Sequence, residues 1–195
     1  MKKRLLMLIL PFTILLLFTA CKSISDAVKS KTPDLNKAFT SNITINHNNN
    51  EIEAIVTRYG NGIWDLEILS PDTLAGMVIN YGTNGVNVML GELEFSIPFE
   101  NIINGSVFNV IFSVIDNAAA MPEMDFVQSD NGPTYSGTTS VGDYTLTFDP
   151  ETNMLTHISV PEQLIEVFVK DINELSSNIH DIEESTNTET TQTIL

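Results

Sequence analysis

Apolar and polar side chains alternate along most of this chain, with a period of two. Trp64, Leu66 and Ile68, for example, alternate with Asp65 and Glu67. Such alternation is typical of β-strands with one buried face. It recurs in residues 43–45, 52–56, 64–68, 77–81, 86–90, 93–97, 144–148, 158–160 and 164–169. The pattern predicts about nine or ten strands, arranged as an antiparallel meander.

Asparagine and glycine separate several of these stretches. Three asparagines occupy 48–50, Gly-Asn-Gly occupies 60–62, and Gly-Thr-Asn-Gly occupies 82–85. Both residue types tolerate the positive φ that tight hairpin turns require. We therefore expect neighbouring strands to pair as hairpins, and we assign these glycines to turns and not to a phosphate-binding loop.

Residues 104–121 break the alternation. Their apolar side chains recur at spacings of three and four, at Val107, Val110, Ile111, Val114, Ile115 and Ala118, with Phe108 and Phe112 widening the stripe. This spacing and the closing run Ala118 to Ala120 predict a helix. The many β-branched residues leave a strand as the alternative. Because the helix is apolar nearly all round, we expect a curved sheet to cover it.

The first 21 residues have the three parts of a secretory signal. Lys2, Lys3 and Arg4 precede an apolar run over 5–18, and Thr-Ala-Cys follows. The ending resembles the bacterial lipobox, which predicts removal of residues 1–20 and lipid attachment at Cys21. A retained membrane-spanning helix is the alternative, but a run of about 14 residues falls short of the roughly 20 that a bilayer requires.

Cys21 is the only cysteine, so the chain cannot close an internal disulfide. A diacylglyceryl group would supply the two acyl chains that stable anchoring needs. We therefore expect a lipoprotein held on the extracytoplasmic face of the cell membrane. Residues 21–34 form its tether, a short helix includes Leu35 and Phe39, one domain covers 35–182, and the acidic tail 183–195 is disordered.

The chain is strongly acidic. It has 9 basic and 25 acidic side chains, and removal of residues 1–20 would also remove three of the basic ones, Lys2, Lys3 and Arg4. Such a surface repels phosphate backbones and anionic lipid headgroups. We therefore expect no nucleic-acid partner and no electrostatic membrane contact beyond the anchor at Cys21.

The chemistry-bearing residues do not form a recognisable catalytic motif. His47, His157 and His180 are far apart in the sequence, and acidic pairs such as Asp65 with Glu67 are expected by chance among so many acids. Metalloprotease, nucleophile-elbow and phosphate-loop patterns do not occur. We expect no cofactor, no metal site and no enzymatic activity.

Residues 63–68 (Ile-Trp-Asp-Leu-Glu-Ile), 70–76 (Ser-Pro-Asp-Thr-Leu-Ala-Gly) and 78–81 (Val-Ile-Asn-Tyr), followed by a glycine turn, resemble the LolA-like superfamily of bacterial lipoprotein carriers, including lipid-anchored relatives in Gram-positive envelopes. The resemblance implies an α+β fold in which a strongly curved antiparallel sheet forms an incomplete barrel. A short N-terminal helix and the central apolar helix would close its concave face, which in the family receives acyl chains. Arg58 lies on a predicted strand, but it cannot be matched to the family's basic residue.

Two functions are open at this point. The first, which we prefer, is non-enzymatic binding of an acyl chain, lipid or lipidated protein in an apolar cavity lined by Trp64, Leu66, Ile68, Met77, Ile79, Phe95, Phe108 and Phe112. Trp64, in phase with Leu66 and Ile68, fits a core position, and the lining of an apolar cavity is the alternative. The second is a protein-interaction module that supports an envelope protein such as a cell-wall hydrolase. It predicts a solid core and an exposed apolar patch.

Overall fold

The computed structural model describes residues 34–101, 106–121 and 124–175. The predictions for the signal, for Cys21, for most of the tether and for the acidic tail concern residues outside these ranges. The described residues contain one α-helix, α1 (Val107–Ala119), and two short 3₁₀ turns, Phe99–Asn101 and Pro161–Gln163. They also contain eleven strands: β1 (Phe39–His47), β2 (Asn50–Gly60), β3 (Ile63–Ser70), β4 (Val78–Gly82), β5 (Gly85–Leu90), β6 (Leu93–Pro98), β7 (Val127–Ser129), β8 (Gly132–Thr139), β9 (Gly142–Phe148), β10 (Leu155–Val160) and β11 (Ile165–Glu174).

All eleven strands belong to one antiparallel sheet in the order β6-β5-β4-β3-β2-β1-β11-β10-β9-β8-β7. Consecutive strands pair from β1 to β6 and again from β7 to β11. Asn48 and Asn49 join β1 to β2 with φ of 51° and 63°. The first and last strands also pair, with Ile43 opposite Val169. This pairing joins two meanders into one sheet and leaves β6 and β7 as its edges.

The sheet curves around α1, and two neighbouring residues of the helix show this. Asp116 accepts a hydrogen bond from Trp64 on β3, and Asn117 accepts one from Tyr144 on β9. Five strand spacings separate β3 from β9, which in a flat sheet is about 24 Å. A helix with its side chains is only about 10–12 Å across. Both bonds can form because the two halves of the sheet bend towards the helix.

The core fills the space between α1 and the concave face of the sheet. Val110, Val114 and Ala118, at helical spacing, are fully buried, and the predicted helix is therefore confirmed. On the sheet, alternate residues such as Ala54 and Val56 are buried while their neighbours are more exposed. The period of two in the sequence thus identifies the inward face of the strands.

Two predictions about the elements are wrong. No helix includes Leu35 and Phe39: residues 34–38 form a turn and a bend, and Phe39 begins β1. Phe39 is drawn into the sheet because it pairs with β2 and β11 and packs its ring edge-on against Trp64. The strand count is also too low, since the alternation does not mark β7 and β8. Their residues, Val-Gln-Ser and Gly-Pro-Thr-Tyr-Ser-Gly-Thr-Thr, carry few apolar side chains and are held by pairing with neighbours.

Candidate functional site

The eight side chains predicted to line a cavity occupy three kinds of position. Five of them retain at most 6% of their exposure, namely Trp64, Leu66, Ile68, Ile79 and Phe112. Met77 and Phe108 are half-buried and pack against the same core. Phe95 lies on β6 and is 55% exposed. The structure therefore gathers seven of the eight in the core between α1 and the sheet and places Phe95 apart, and their role as a lipid cavity stays a prediction.

Aromatic stacking joins α1 to the sheet. The Phe112 ring lies parallel to the Trp64 ring, with centroids 4.6 Å apart, and meets the Tyr81 ring edge-on at 4.9 Å. Burial raises the pKa of Tyr81. These contacts fill the middle of the concave face with side chains of the protein itself.

A buried ion pair lies beside this stack. The Arg58 guanidinium donates from Nη2 and Nε to Asp116 Oδ1, at 2.9 and 3.1 Å. The other carboxylate oxygen accepts from the Gly62 backbone N–H at 2.9 Å and from Trp64 Nε1 at 3.0 Å. Arg58 Nη1 also donates to the Asn36 carbonyl. Each guanidinium nitrogen and each carboxylate oxygen of the pair therefore has at least one hydrogen-bond partner, as charged groups in an apolar interior require.

Sequence reasoning did not find this pair, although it leaves two signals. Asp116 is the only charged residue in the apolar stretch 107–119, and Arg58 is the only lysine or arginine between Lys37 and Lys170. A lone charge in a buried helix needs a partner of opposite sign. Their pairing places the predicted strand residue Arg58 beneath α1, as a bond between helix and sheet.

The concave apolar face continues beyond the helix to the edge of the sheet. Register places Leu66, Ile79, Val88 and Phe95 directly opposite one another across β3 to β6. Their exposure rises along this row, from 1% at Leu66 and 6% at Ile79 to 55% at Phe95. Leu93 and Ile97 flank Phe95 and are 59% and 37% exposed. We call Leu93, Phe95 and Ile97 the β6 surface.

A groove opens next to the β6 surface, at the turn between β4 and β5. Its volume is about 430 Å³, and Tyr81, Val86, Ile97 and Pro98 contribute its apolar walls. The rest of the lining comes from the turn, including Thr83 and Asn84, and from polar strand residues such as Ser96. The groove and the β6 surface together make a mainly apolar region at one edge of the sheet.

The charged side chains on and next to β6 in the sequence are all acidic. Glu92, Glu94 and Glu100 lie on or next to β6, and no lysine or arginine occurs between Arg58 and Lys170. On the outer face of β6, Glu94 and Ser96 both hydrogen-bond to Asn87 of β5. The region therefore combines apolar side chains with an acidic margin, which suits a partner that is apolar and basic.

No protein-family model matches the chain, and no curated protein matches it significantly. Solved structures to which the chain is similar include an uncharacterised conserved protein from Thermus thermophilus, with a TM-score of 0.47, 12% identity, and coverage of 73% of this chain and 82% of the other. A LolA superfamily protein from Nitrosomonas europaea is similar with a TM-score of 0.39, 12% identity, and coverage of 72% and 87%. A chain in the complex of the CwlD amidase with the GerS lipoprotein from Clostridioides difficile is similar with a TM-score of 0.41, 16% identity, and coverage of 74% and 86%.

One cluster on the outer face of the sheet contains catalytic residue types. His157 and Ser159 of β10 both contact the Glu166 carboxylate, one at each oxygen and each at 2.7 Å. A serine nucleophile is activated when a base accepts its proton and a third group orients that base. Here the serine and the histidine each bond to the carboxylate, so the recorded contacts do not build that relay.

The described residues also lack two other kinds of site. Within 34–101, 106–121 and 124–175, no group of three histidine, cysteine or acidic side chains could hold a metal ion. Over the same ranges, no helix is both long and apolar enough to cross a membrane.

Proposed function

We propose that this chain is a lipid-anchored, extracytoplasmic lipoprotein that binds a protein of the cell envelope on the β6 surface, without catalysing a reaction. The observation that carries the proposal is the exposure of Leu93, Phe95 and Ile97 on the face that elsewhere forms the core. Apolar side chains that lie contiguously at a surface commonly mark an interaction site.

The packing beneath α1 favours this function over a lipid held in the interior. A void wide enough for an acyl chain would leave accessible surface on the side chains that line it. Trp64, Leu66 and Ile68 retain 0–1%, and Phe112, stacked on Trp64, retains 4%. Because the interior space is filled, the outer end of the same face is the better place for a partner.

The charge of the region favours a protein over the membrane surface. Glu92 and Glu100 lie next to β6 in the sequence, Glu94 lies on the other face of the same strand, and no lysine or arginine occurs from position 59 to 169. Anionic headgroups would be repelled by these carboxylates. An apolar protein surface with basic residues at its rim would bury Phe95 and meet the carboxylates at the margin.

The 430 Å³ groove favours a second candidate function, the binding of an acyl chain. Its walls include Tyr81, Val86 and Ile97, and each buried methylene of a ligand would contribute about 0.8 kcal/mol. Native mass spectrometry with lipid extraction would test it. A bound species of fatty-acid mass that is lost on Val86→Asn would support this candidate, and an unliganded mass with no uptake of added lipid would exclude it.

Photo-crosslinking in the native host tests the main proposal. The full-length chain would carry benzoylphenylalanine in place of Phe95, or in place of Phe168 as a control. Phe168 is 43% exposed but follows the buried Val167, so it lies on the opposite face of the sheet. We expect a protein adduct of defined mass from position 95 and none from position 168.

Two leucines provide a matched pair for the same experiment. Leu93 of the β6 surface is 59% exposed, and Leu164, in the turn before β11, is 65% exposed. Leu93→Asn should abolish the adduct at position 95, whereas Leu164→Asn should leave it unchanged. An adduct that contains lipid only, or no adduct at either position, would contradict protein docking on the β6 surface.

A further inference from the structure

The backbone of β6 forms an unprotected edge of the described sheet. Its pairing with β5 is continuous over six residues, from Gly85 opposite Pro98 to Leu90 opposite Leu93, with no bulge. Natural edge strands are usually blocked by lysine, proline, a bulge or a covering element. Here β6 has no lysine, and its single proline, Pro98, stands at its end. Along β6, the backbone N–H and C=O groups of alternate residues point away from β5. These groups have no strand partner among the described residues.

The free backbone groups of β6 indicate which kind of molecule binds along this edge. An acyl chain could cover Phe95, but it has no groups that hydrogen-bond to the free N–H and C=O of a strand. An extended polypeptide has both, and its side chains alternate between the two faces in the same period as those of β6. On the inner face they would meet Leu93, Phe95 and Ile97, and on the outer face they would meet Glu94.

Charge restricts the polypeptide further. A second copy of this chain would bring its own Glu92, Glu94 and Glu100 against the same three carboxylates, and like charges directly opposite one another destabilise a strand pair. Residues 176–195 of the chain carry acids and no lysine or arginine, so they are equally unsuited. A strand with lysine or arginine on its outward positions would pair favourably with Glu94.

We propose that β6 accepts an added β-strand from a basic partner protein, with alternating apolar and basic side chains. The proposal rests on protein docking at the β6 surface and names how the partner binds. The partner's apolar residues extend the row from Leu66 to Phe95 by one strand, and its basic residues face the carboxylates at the margin. Main-chain hydrogen bonds supply the affinity, and the alternation supplies the specificity.

Amide hydrogen exchange tests strand addition directly. The protein is the chain without residues 1–20 and with Cys21→Ser, and the probe is a seven-residue peptide of alternating lysine and valine. We expect the peptide to slow exchange roughly tenfold at alternate amides of β6, those that face away from β5. The same peptide with glutamate in place of lysine should not do so, and Glu94→Lys should reverse the preference between the two.

The other edge of the described sheet is a matched control. Strand β7 is also exposed, and Asp125 and Asp130 lie close to it, but it has three residues and no apolar row. Protection at β6 and not at β7 would therefore exclude simple attraction between a basic peptide and an acidic protein. A peptide with N-methylated alternate residues, which keeps its charge but cannot pair, should give no protection.

Two other results would contradict strand addition at β6. They differ in whether protein docking on the β6 surface would still hold. Binding that shifts side-chain signals of Phe95 without alternate amide protection would mean docking through side chains, and protein docking on the β6 surface would survive. Protection of β6 in the free protein that is lost on Lys29→Glu with Lys31→Glu would identify the chain's own residues 22–33 as the occupant. Failure of protein docking itself would appear separately, as the absence of a protein crosslink at position 95.

Discussion

The Arg58 guanidinium and the Asp116 carboxylate form a buried ion pair that joins β2 to α1, with Nη2 and Oδ1 2.9 Å apart. Arg58 is 1% exposed and Asp116 is 14% exposed. A charge that loses its partner in such a place cannot be hydrated without disrupting the packing, and the cost is about 3–5 kcal/mol. The pair therefore stabilises the position of the helix over the concave face.

Removal of either partner should destabilise the protein, but by unequal amounts. Asp116→Ala leaves Arg58 with one recorded bond, to the Asn36 carbonyl, and we expect a loss of about 3–5 kcal/mol. Arg58→Met should cost less, because Asp116 keeps the donors of Gly62 and Trp64. Urea denaturation followed by circular dichroism measures both. Lys37→Met, which breaks the exposed pair with Glu174, is the control and should change little. Equal losses for Asp116→Ala and Lys37→Met would contradict the structural role of the buried pair.

Gly137 should be intolerant of a side chain. It lies opposite Tyr144 in the pairing of β8 with β9, and an added Cβ would collide with the Tyr144 ring. That ring is 1% exposed, and its hydroxyl donates to Asn117 of α1 at 2.7 Å. We expect Gly137→Ala to cost about 1–3 kcal/mol, measured by urea denaturation, because the ring must move and its bond to the helix is lost.

Gly82 provides the control for this substitution. An added Cβ there meets nothing within 4 Å, and its φ is not in the left-handed region. Gly82→Ala should therefore leave the free energy of unfolding nearly unchanged. If Gly137→Ala and Gly82→Ala lowered the free energy of unfolding by similar amounts, the collision with Tyr144 would not be the cause of the destabilisation at Gly137. Removal of the Tyr144 hydroxyl in Tyr144→Phe should reproduce part of the loss at Gly137, since it removes the bond to Asn117.

The hydrogen bonds that Asp149 accepts, in the turn between β9 and β10, predict that the stability of the protein depends on pH. Its Oδ1 accepts from the Thr152 backbone N–H at 2.7 Å, from the Thr152 hydroxyl at 2.9 Å and from the Glu151 N–H at 3.0 Å. These bonds, those of Thr152 first, lower the pKa of Asp149 from its ordinary value of 3.8. The pKa of Asp149 is lower in the folded protein than in the unfolded chain. Ionised Asp149 therefore stabilises the fold fully at any pH above its unfolded pKa, and this stabilisation is lost as the pH falls through its folded pKa.

Thermal unfolding as a function of pH checks this expectation. Asp149→Asn should lower the Tm relative to the parent protein at pH 7, and the difference should shrink below pH 3.8, where the parent carboxylate takes up its proton. Thr152→Val removes the hydroxyl donor to Asp149 and should raise the folded pKa of Asp149 towards 3.8. The pH range over which the Tm difference shrinks should therefore move upwards. A difference in Tm that stays constant from pH 7 to pH 2 would mean that the charge of Asp149 does not contribute.

The sequence predicts the face of each side chain better than it predicts what covers that face. Alternation placed Phe95 on the same side as Leu66 and Ile79, and the register confirms this. It could not predict that α1 covers Leu66 and leaves Phe95 exposed, because coverage depends on where the helix lies. The period reports which way a residue points within its own strand and carries no information about elements distant in sequence.

The features of the fold that the sequence does not predict also depend on contacts between residues distant in sequence. Strand β8 carries mainly glycine, threonine and serine, and its place follows from pairing with β7 and β9 instead of from its own pattern. Phe39 was assigned to a helix from local spacing, but two neighbouring strands place it in β1. The bond between Arg58 and Asp116 joins residues on opposite sides of the core, so local spacing could not predict it.

Replacement of Cys21 tests the anchor on which the proposed location depends. Wild-type chain expressed in the native host should incorporate labelled palmitate and fractionate with membranes, because the proposed lipid attachment at Cys21 would supply two acyl chains. Cys21→Ser should lose the label and appear outside the membrane fraction. Ser23→Ala, two residues away, is the control and should behave as wild type. Mass spectrometry of the N-terminus separates two contrary results. A labelled Cys21→Ser chain would place the lipid elsewhere, whereas an unlabelled chain that retains residues 1–20 in the membrane would mean that the apolar run 5–18 is itself the anchor.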